Sequence, residues 1–233
     1  MLAVFQLYGP DHLLTLFFLA GVGILIIRAF RKDLESQGSK AALAALAFLC
    51  FASYPINQAA VTALDGTHAL TRLLPLHLCD ITAFLCGFAL ITRKPLLCEL
   101  SYFWGLAGTM QGLLTPDIVH EFPEPAYLSF FIQHGVIVIT AFVLPLGLGW
   151  RPRPKSARRT YLALLLYAVL IYPINYVLNT NFAFIMEKPH GASLLNVLGD
   201  WPWYILWTLA IAAGIFFLLE LPFKRMATKH SQN

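Results

Sequence analysis

The chain has 233 residues, 58% apolar and only 12% charged, with 16 basic side chains against 12 acidic ones and a net charge of +4. A soluble domain carries about twice that share of charge, and a mean hydropathy of +0.69 leaves too little polar surface to coat a water-facing fold. An integral membrane protein follows, which excludes a soluble enzyme, a nucleic-acid binder and a disordered segment; the four cysteines, all inside apolar runs, imply no secreted disulfide framework.

A bilayer-crossing helix needs about 20 mostly apolar residues. Seven windows qualify, at 11–30, 41–64, 73–92, 96–114, 126–149, 160–179 and 201–223. The connections are short, so the expected fold class is an all-α membrane protein with one seven-helix domain over 1–233. No cationic residue precedes the first window, so a cleaved signal peptide is not expected.

Lysine and arginine set the orientation. Arg28, Arg31, Lys32 and Lys40 follow the first window, and Arg93 and Lys94 the third. Arg151, Arg153, Lys155, Arg158 and Arg159 follow the fifth; Lys224, Arg225 and Lys229 follow the seventh. Seven crossings put all of these on one side, leaving Arg72 and Lys188 on the other with Asp65, Asp117, Glu121, Glu124, Glu187 and Asp200. The amino terminus is therefore expected outside and the carboxyl terminus in the cytoplasm of a cell-membrane protein. Trp201, Trp203 and Tyr204 suit an outer aromatic belt. The basic segment 151–159 reads first as a topology determinant and second as a holder of anionic headgroups.

Tyr54-Pro55-Ile56-Asn57 in the second window recurs as Tyr172-Pro173-Ile174-Asn175 in the sixth, and Phe17-Phe18-Leu19 is echoed by Phe130-Phe131-Ile132. The echoes suggest a 3+1+3 parallel repeat, 11–92 and 126–223, with 96–114 as linker. Each proline removes a backbone donor and bends its helix.

Ionisable and amide groups within a span are costly and face the interior or a wet cavity. His77, Cys79 and Asp80 fall in the outer third of the third window, Gln111 in the outer half of the fourth, and Gln133 and His134 in the outer half of the fifth. Asn57 and Gln58 end the second window, and Asn175, Asn179 and Asn181 end the sixth. At 1.5 Å per residue, Cys79 and His134 lie roughly 8 and 12 Å from their outer helix ends. One outward-facing polar pocket is the expectation. Glu99 stands apart at the inner end, where it is expected to snorkel to the interface.

His77 and Asp80, three apart, share a helix face and are expected to pair. Cys79 lies roughly 160° from His77 around the same helix, so His134 is the better base for it. Pro75 suits a first helical turn, placing Cys79 near the positive helix end. Cys50, Cys86 and Cys98 read as small fillers, and Gly108 with Gly112 as a close-packing GxxxG pair. His77, Cys79, Asp80 and His134 are residue types that suit zinc, but without a short ligand repeat neither a metal nor another cofactor is expected.

Pro75-Leu-His-Leu-Cys-Asp80, Tyr102-Phe-Trp-Gly105, Leu113-Leu-Thr-Pro-Asp117, His134-Gly135, Asn179-Thr-Asn181 and Gly199-Asp-Trp-Pro-Trp-Tyr204 together resemble the YwaF-like seven-span membrane proteins, in order over nearly the whole chain. That family is similar to eukaryotic seven-span phospholipid acyltransferases, in which a membrane cysteine and a histidine are held to be catalytic. It is more distantly similar to androgen-induced-gene-type lipid hydrolases, which use a threonine and a histidine. The resemblance implies Cys79 as nucleophile and His134 as general base. Phe182 stands where tyrosine is expected in relatives, and Asp200 where proline is.

Two functions follow. In the first, Cys79 and His134, with His77 and Asp80 beside them, transfer or hydrolyse the acyl group of a membrane lipid, and Asn57, Gln111, Gln133, Asn175 and Asn179 bind the substrate. In the second, His77, Asp80 and His134 form the substrate or proton site of a small carrier built on the repeat. Membrane lipids are the expected partners.

Overall fold

The computed structural model describes residues 5–65, 74–189 and 193–230, without the side chains of 64, 65 and 225–230. Arg72 and residue 73 of the third window therefore lie outside the described residues, as do the side chains of Asp65, Arg225 and Lys229.

Proline starts three of the helices described. Helix α1 (Pro10–Lys32) opens on a proline followed by Asp11 and ends on Arg31 and Lys32, so each end carries the charge its dipole favours. Helix α2 is Gln37–Asp65, α3 Leu78–Thr92 and α4 Pro95–Trp104. From α4 the chain continues through a wide π turn, Gly105–Thr109, into α5 (Met110–Leu114) as one rod. Helices α6 (Pro125–Leu146), α7 (Ser156–Leu178) and α8 (Trp203–His230) complete the fold, with short 3-10 turns at Phe182–Phe184 and Leu194–Val197. No strand occurs among the described residues.

Five helices are long and apolar enough to cross a membrane: Pro10–Lys32, Gln37–Ala63, Pro125–Leu146, Ser156–Leu178 and Trp203–Lys224. The third window yields a helix of only 15 residues. Pro75 disfavours helical backbone at Leu74, and His77 is extended (φ −66°, ψ 147°), so the helix begins at Leu78. In the fourth window the π turn intervenes, a widening frequent at functional sites.

Helix α6 is the central rod: 78% of its apolar stretch is buried, against 11% for α1 and α7. Around it stand α1, α2, α3, α4 and α5; α7 and α8 pack together and join through α4 and the π turn. The peripheral helices turn Phe17, Phe18, Val169 and Val177 outward. Lipid is as apolar as those side chains, so association rests on close packing and interhelical hydrogen bonds. Small residues supply the first. A Cβ on Gly135 would lie 2.7 Å from Leu19, and one on Gly87 2.6 Å from the Phe51 ring. Cys50, Cys86 and Cys98 are fully buried and free, as filler residues would be.

The two Tyr-Pro-Ile-Asn tetrads play different parts. Tyr54 is buried and Tyr172 exposed; Asn57 accepts a hydrogen bond from Ser129 of α6 at 2.9 Å, whereas Asn175 folds back on its own turn. Asn175 Oδ1 accepts from Phe182 N–H (2.8 Å) and the Thr180 hydroxyl (3.0 Å), and its Nδ2 donates to the Phe182 carbonyl (3.0 Å). Asn175→Ala leaves the buried Phe182 amide and carbonyl unpaired and is expected to cost about 2–4 kcal/mol, read as a lower melting temperature in detergent.

Glu99 does not snorkel. It is fully buried, and the chain brings cations to it: Arg153 Nε and Nη2 donate to its two oxygens at 2.8 and 2.9 Å, and Arg159 Nε donates at 3.2 Å. Two of the five cations of the basic segment are thus spent inside the fold.

Candidate functional site

Four elements converge at the start of α3. His77 is its N-cap residue and Cys79 its second residue, so the thiol sits at the positive end of the helix. Asp80, in the first turn, is buried. Its Oδ2 accepts from the His77 backbone N–H at 3.3 Å and its Oδ1 from Gln133 Nε2 of α6 at 2.8 Å. Gln133 thereby pins α6 to the first turn of α3. Tyr167 reaches in from α7, its hydroxyl donating to the Leu76 carbonyl at 2.7 Å.

The imidazole of His134, the residue after Gln133, is oriented twice over. Its Nδ1–H donates to the Phe130 carbonyl at 2.9 Å, and the Phe130 ring stacks on it at 4.0 Å and 23°. With Nδ1 protonated, the neutral ring keeps its lone pair on Nε2. That nitrogen faces Gly112 of α5: a Cβ there would lie 2.8 Å from it. One turn earlier, a Cβ on Gly108 would lie 3.0 Å from Leu78. Both glycines of the GxxxG pair serve close approach, one to α3 and one to the histidine.

Between them stands Thr109, the last residue of the π turn, facing the Cys79 thiol. Its buried hydroxyl has no hydrogen-bond partner. Thr109 and Gly112 are three apart on one helical surface, roughly 5 Å along it. His134 thus packs on the rod at Gly112, while Cys79 stands in the first turn of α3. Among the described residues, the Thr109 hydroxyl has no hydrogen-bond partner, and the Cys79 sulfur, the His134 Nε2 and the His77 Nε2 are not engaged by side chains of the polar groups around them. Thr109 was not singled out in the sequence; the glycines flanking it, in Gly105-Leu-Ala-Gly-Thr-Met-Gln-Gly112, were the available signal.

The other expected site residues are differently employed. His77 and Asp80 meet through the helix cap, the Asp80 carboxylate accepting from the His77 backbone N–H, rather than as an imidazole–carboxylate pair, and the His77 ring packs on the turn after α7. Its Nδ1 accepts from Ala183 N–H at 3.4 Å, and the ring meets Phe182 and Phe184 at 5.3 and 5.7 Å. Gln111 Nε2 donates to Thr115 Oγ1 at 2.6 Å. Asn57 is tied to Ser129 and Asn175 to the turn after α7. Asn179 is exposed and left-handed (φ 52°), the C-cap of α7. These groups do not line one chamber with free polar atoms; most are spent across helices or within turns.

An apolar slot of about 390 Å³ runs between α1, α5 and α6. Its walls include Leu113 and Gly135, the chain neighbours of Gly112 and His134, and extend through Ile139 and Phe142 of α6 and Gly23 and Ile27 of α1. No group of three or more metal-ligating side chains occurs among the described residues.

Gly112→Ala tests the close approach to the histidine. The added methyl displaces a ring held by Phe130, while helix propensity improves by up to about 1 kcal/mol. The expected result is a near-unchanged melting temperature with the His134 ring turned away from α5, measured as a shift of its imidazole resonances in detergent.

Among curated proteins, the chain is 27% identical to an uncharacterized protein of Treponema pallidum (strain Nichols) over 172 residues, 74% of this chain and 70% of that one. No solved structure matches it. The TMEM164 family pattern covers residues 7–220, from the start of α1 nearly to the end of α8, and the chain belongs to that family of membrane proteins.

Proposed function

We propose that the protein transfers or hydrolyses the acyl group of a membrane phospholipid, with Cys79 as nucleophile and His134 as general base. The observation that supports this reading is that His134, with Nδ1 bonded to the Phe130 carbonyl, packs on Gly112 of the same rod whose Thr109 neighbours Cys79. The resemblance to YwaF-like proteins and membrane phospholipid acyltransferases points the same way. So does the apolar slot beside His134, which suits an acyl chain.

In this reading His134 Nε2 takes the Sγ proton of Cys79, and the sulfur attacks the ester carbonyl carbon of a phospholipid. A carbon–sulfur bond forms and the carbonyl oxygen becomes an oxyanion, to which the Thr109 hydroxyl donates. Collapse breaks the ester carbon–oxygen bond, and the departing glyceryl oxygen takes the proton from His134. In the second half a lysophospholipid hydroxyl, or water, gives its proton to His134 and attacks the thioester carbon. The carbon–sulfur bond breaks and the sulfur recovers the proton. Gln133 and Asp80 are positioning residues that hold α6 against α3.

The same reading takes α3 and the α4–α5 rod as crossings, which gives seven spans with the amino terminus outside the cell membrane. Transport on a 3+1+3 repeat is less well supported, because the two tetrads differ in burial and bonding and the inner end of the rod is closed by Glu99 with two arginines. Purified protein given an acyl-labelled phosphatidylethanolamine and an unlabelled lysophospholipid is expected to move the label. Equal exchange by wild type and Cys79→Ala overturns the mechanism.

A further inference from the structure

The basic segment before α7 divides by employment. Arg153 and Arg159 are held by the buried Glu99. Lys155 and Arg158 are exposed and, among the described residues, their side chains make no ion pair or hydrogen bond. Both line a cleft of about 300 Å³ between the start of α7 and the end of α8, together with Lys224. Its apolar wall is made by Tyr161, Phe216 and Phe217. Tyr161 is fixed by its hydroxyl donating to the Leu209 carbonyl at 3.1 Å and by an edge contact with Phe216 at 5.9 Å.

The one acid in the cleft, Glu220, is already neutralised. It accepts from Ala157 N–H at 3.1 Å and the Ser156 hydroxyl at 3.2 Å, and pairs with Lys224. Two uncommitted cations therefore share a cleft with aromatic side chains at the end of the bundle where the basic residues collect. Topology alone does not require this arrangement, since positive-inside bias is indifferent to which side chains share a cleft.

We infer that this cleft holds the phosphate headgroup of an anionic phospholipid. Lys155 and Arg158 bind the phosphate, and the acyl chains leave over Phe217 into the bilayer. The volume lies at the small end of ligand sites, enough for a headgroup while the chains stay in lipid. The inference is independent of the acyl chemistry at Cys79, which lies on other helices.

The test uses the full chain extracted from vesicles of phosphatidylcholine with phosphatidylglycerol, counting retained phosphatidylglycerol by native mass spectrometry. Wild type is expected to keep it. A cation at an anionic membrane surface contributes roughly fivefold in binding, so Lys155→Gln with Arg158→Gln is expected to weaken retention about thirtyfold. Arg151→Gln, an exposed arginine outside the cleft, is expected to leave retention near wild type. Ala213→Phe fills the cleft with every cation in place and is expected to release the lipid, its melting temperature reporting that the fold is intact. Retention unchanged in the double variant, an equal loss in Arg151→Gln, or equally tight binding of inorganic phosphate alone would each overturn the inference.

Discussion

Cys79→Ala is expected to lower acyl exchange by about a thousandfold or more, with the melting temperature unchanged. The side chain is small, and its neighbour Thr109 keeps its place on the π turn, so the change removes a nucleophile without opening a large cavity. His134→Gln is expected to act on the same step with a comparable loss, because a nucleophile and its base work as a unit and their effects do not add. Losses in the double variant far beyond either single one would argue that the two residues act separately. Intact-mass measurement supplies a second readout. Wild type incubated with phospholipid is expected to carry one acyl group labile to hydroxylamine, and Cys79→Ala none. Thr109→Val tests the oxyanion donor. It keeps the shape and removes the hydroxyl, with an expected fall in turnover of roughly a hundredfold.

The second large effect is at the opposite end of the bundle. Arg153→Ala with Arg159→Ala leaves the fully buried Glu99 carboxylate with only the Arg153 backbone N–H, at 3.2 Å, as partner. Stranding a buried charge is far more costly than removing an ion pair as a unit. The expected fall in melting temperature is about 10 °C in detergent. Glu99→Gln alone is expected to do less harm, because the two arginine side chains are 47% and 37% exposed and can turn to water. Adding Glu99→Gln to the double arginine variant is expected to restore most of the loss. If it does not, the arginines stabilise the loop by packing rather than by charge.

Membrane residence was legible from composition, and the long helices from the apolar windows, because lipid selects for continuous apolar stretches whatever their neighbours. Helix starts followed proline closely at α1, α4 and α6. The expectation failed where local backbone competed with hydropathy. The extended residues before α3 shortened the third helix, and the glycines of the fourth window opened into a π turn. Cys79 and His134 were named from residue type and depth, and GxxxG as a packing device, whereas Thr109 carried no signal of its own.

Residue type and spacing determined that this chain lives in lipid, which segments are helical, and which rare polar groups lie at similar depth. Only the tertiary structure decided which of those groups remain available. Partner choice depends on how each rod is rotated and how closely it approaches its neighbour, and neither is encoded in one helix alone. Hence Asn57, Gln111 and Asn175, which look on paper like substrate ligands, are consumed by Ser129, Thr115 and a turn. The His134 imidazole is left packed on Gly112, its Nδ1 held by the Phe130 carbonyl.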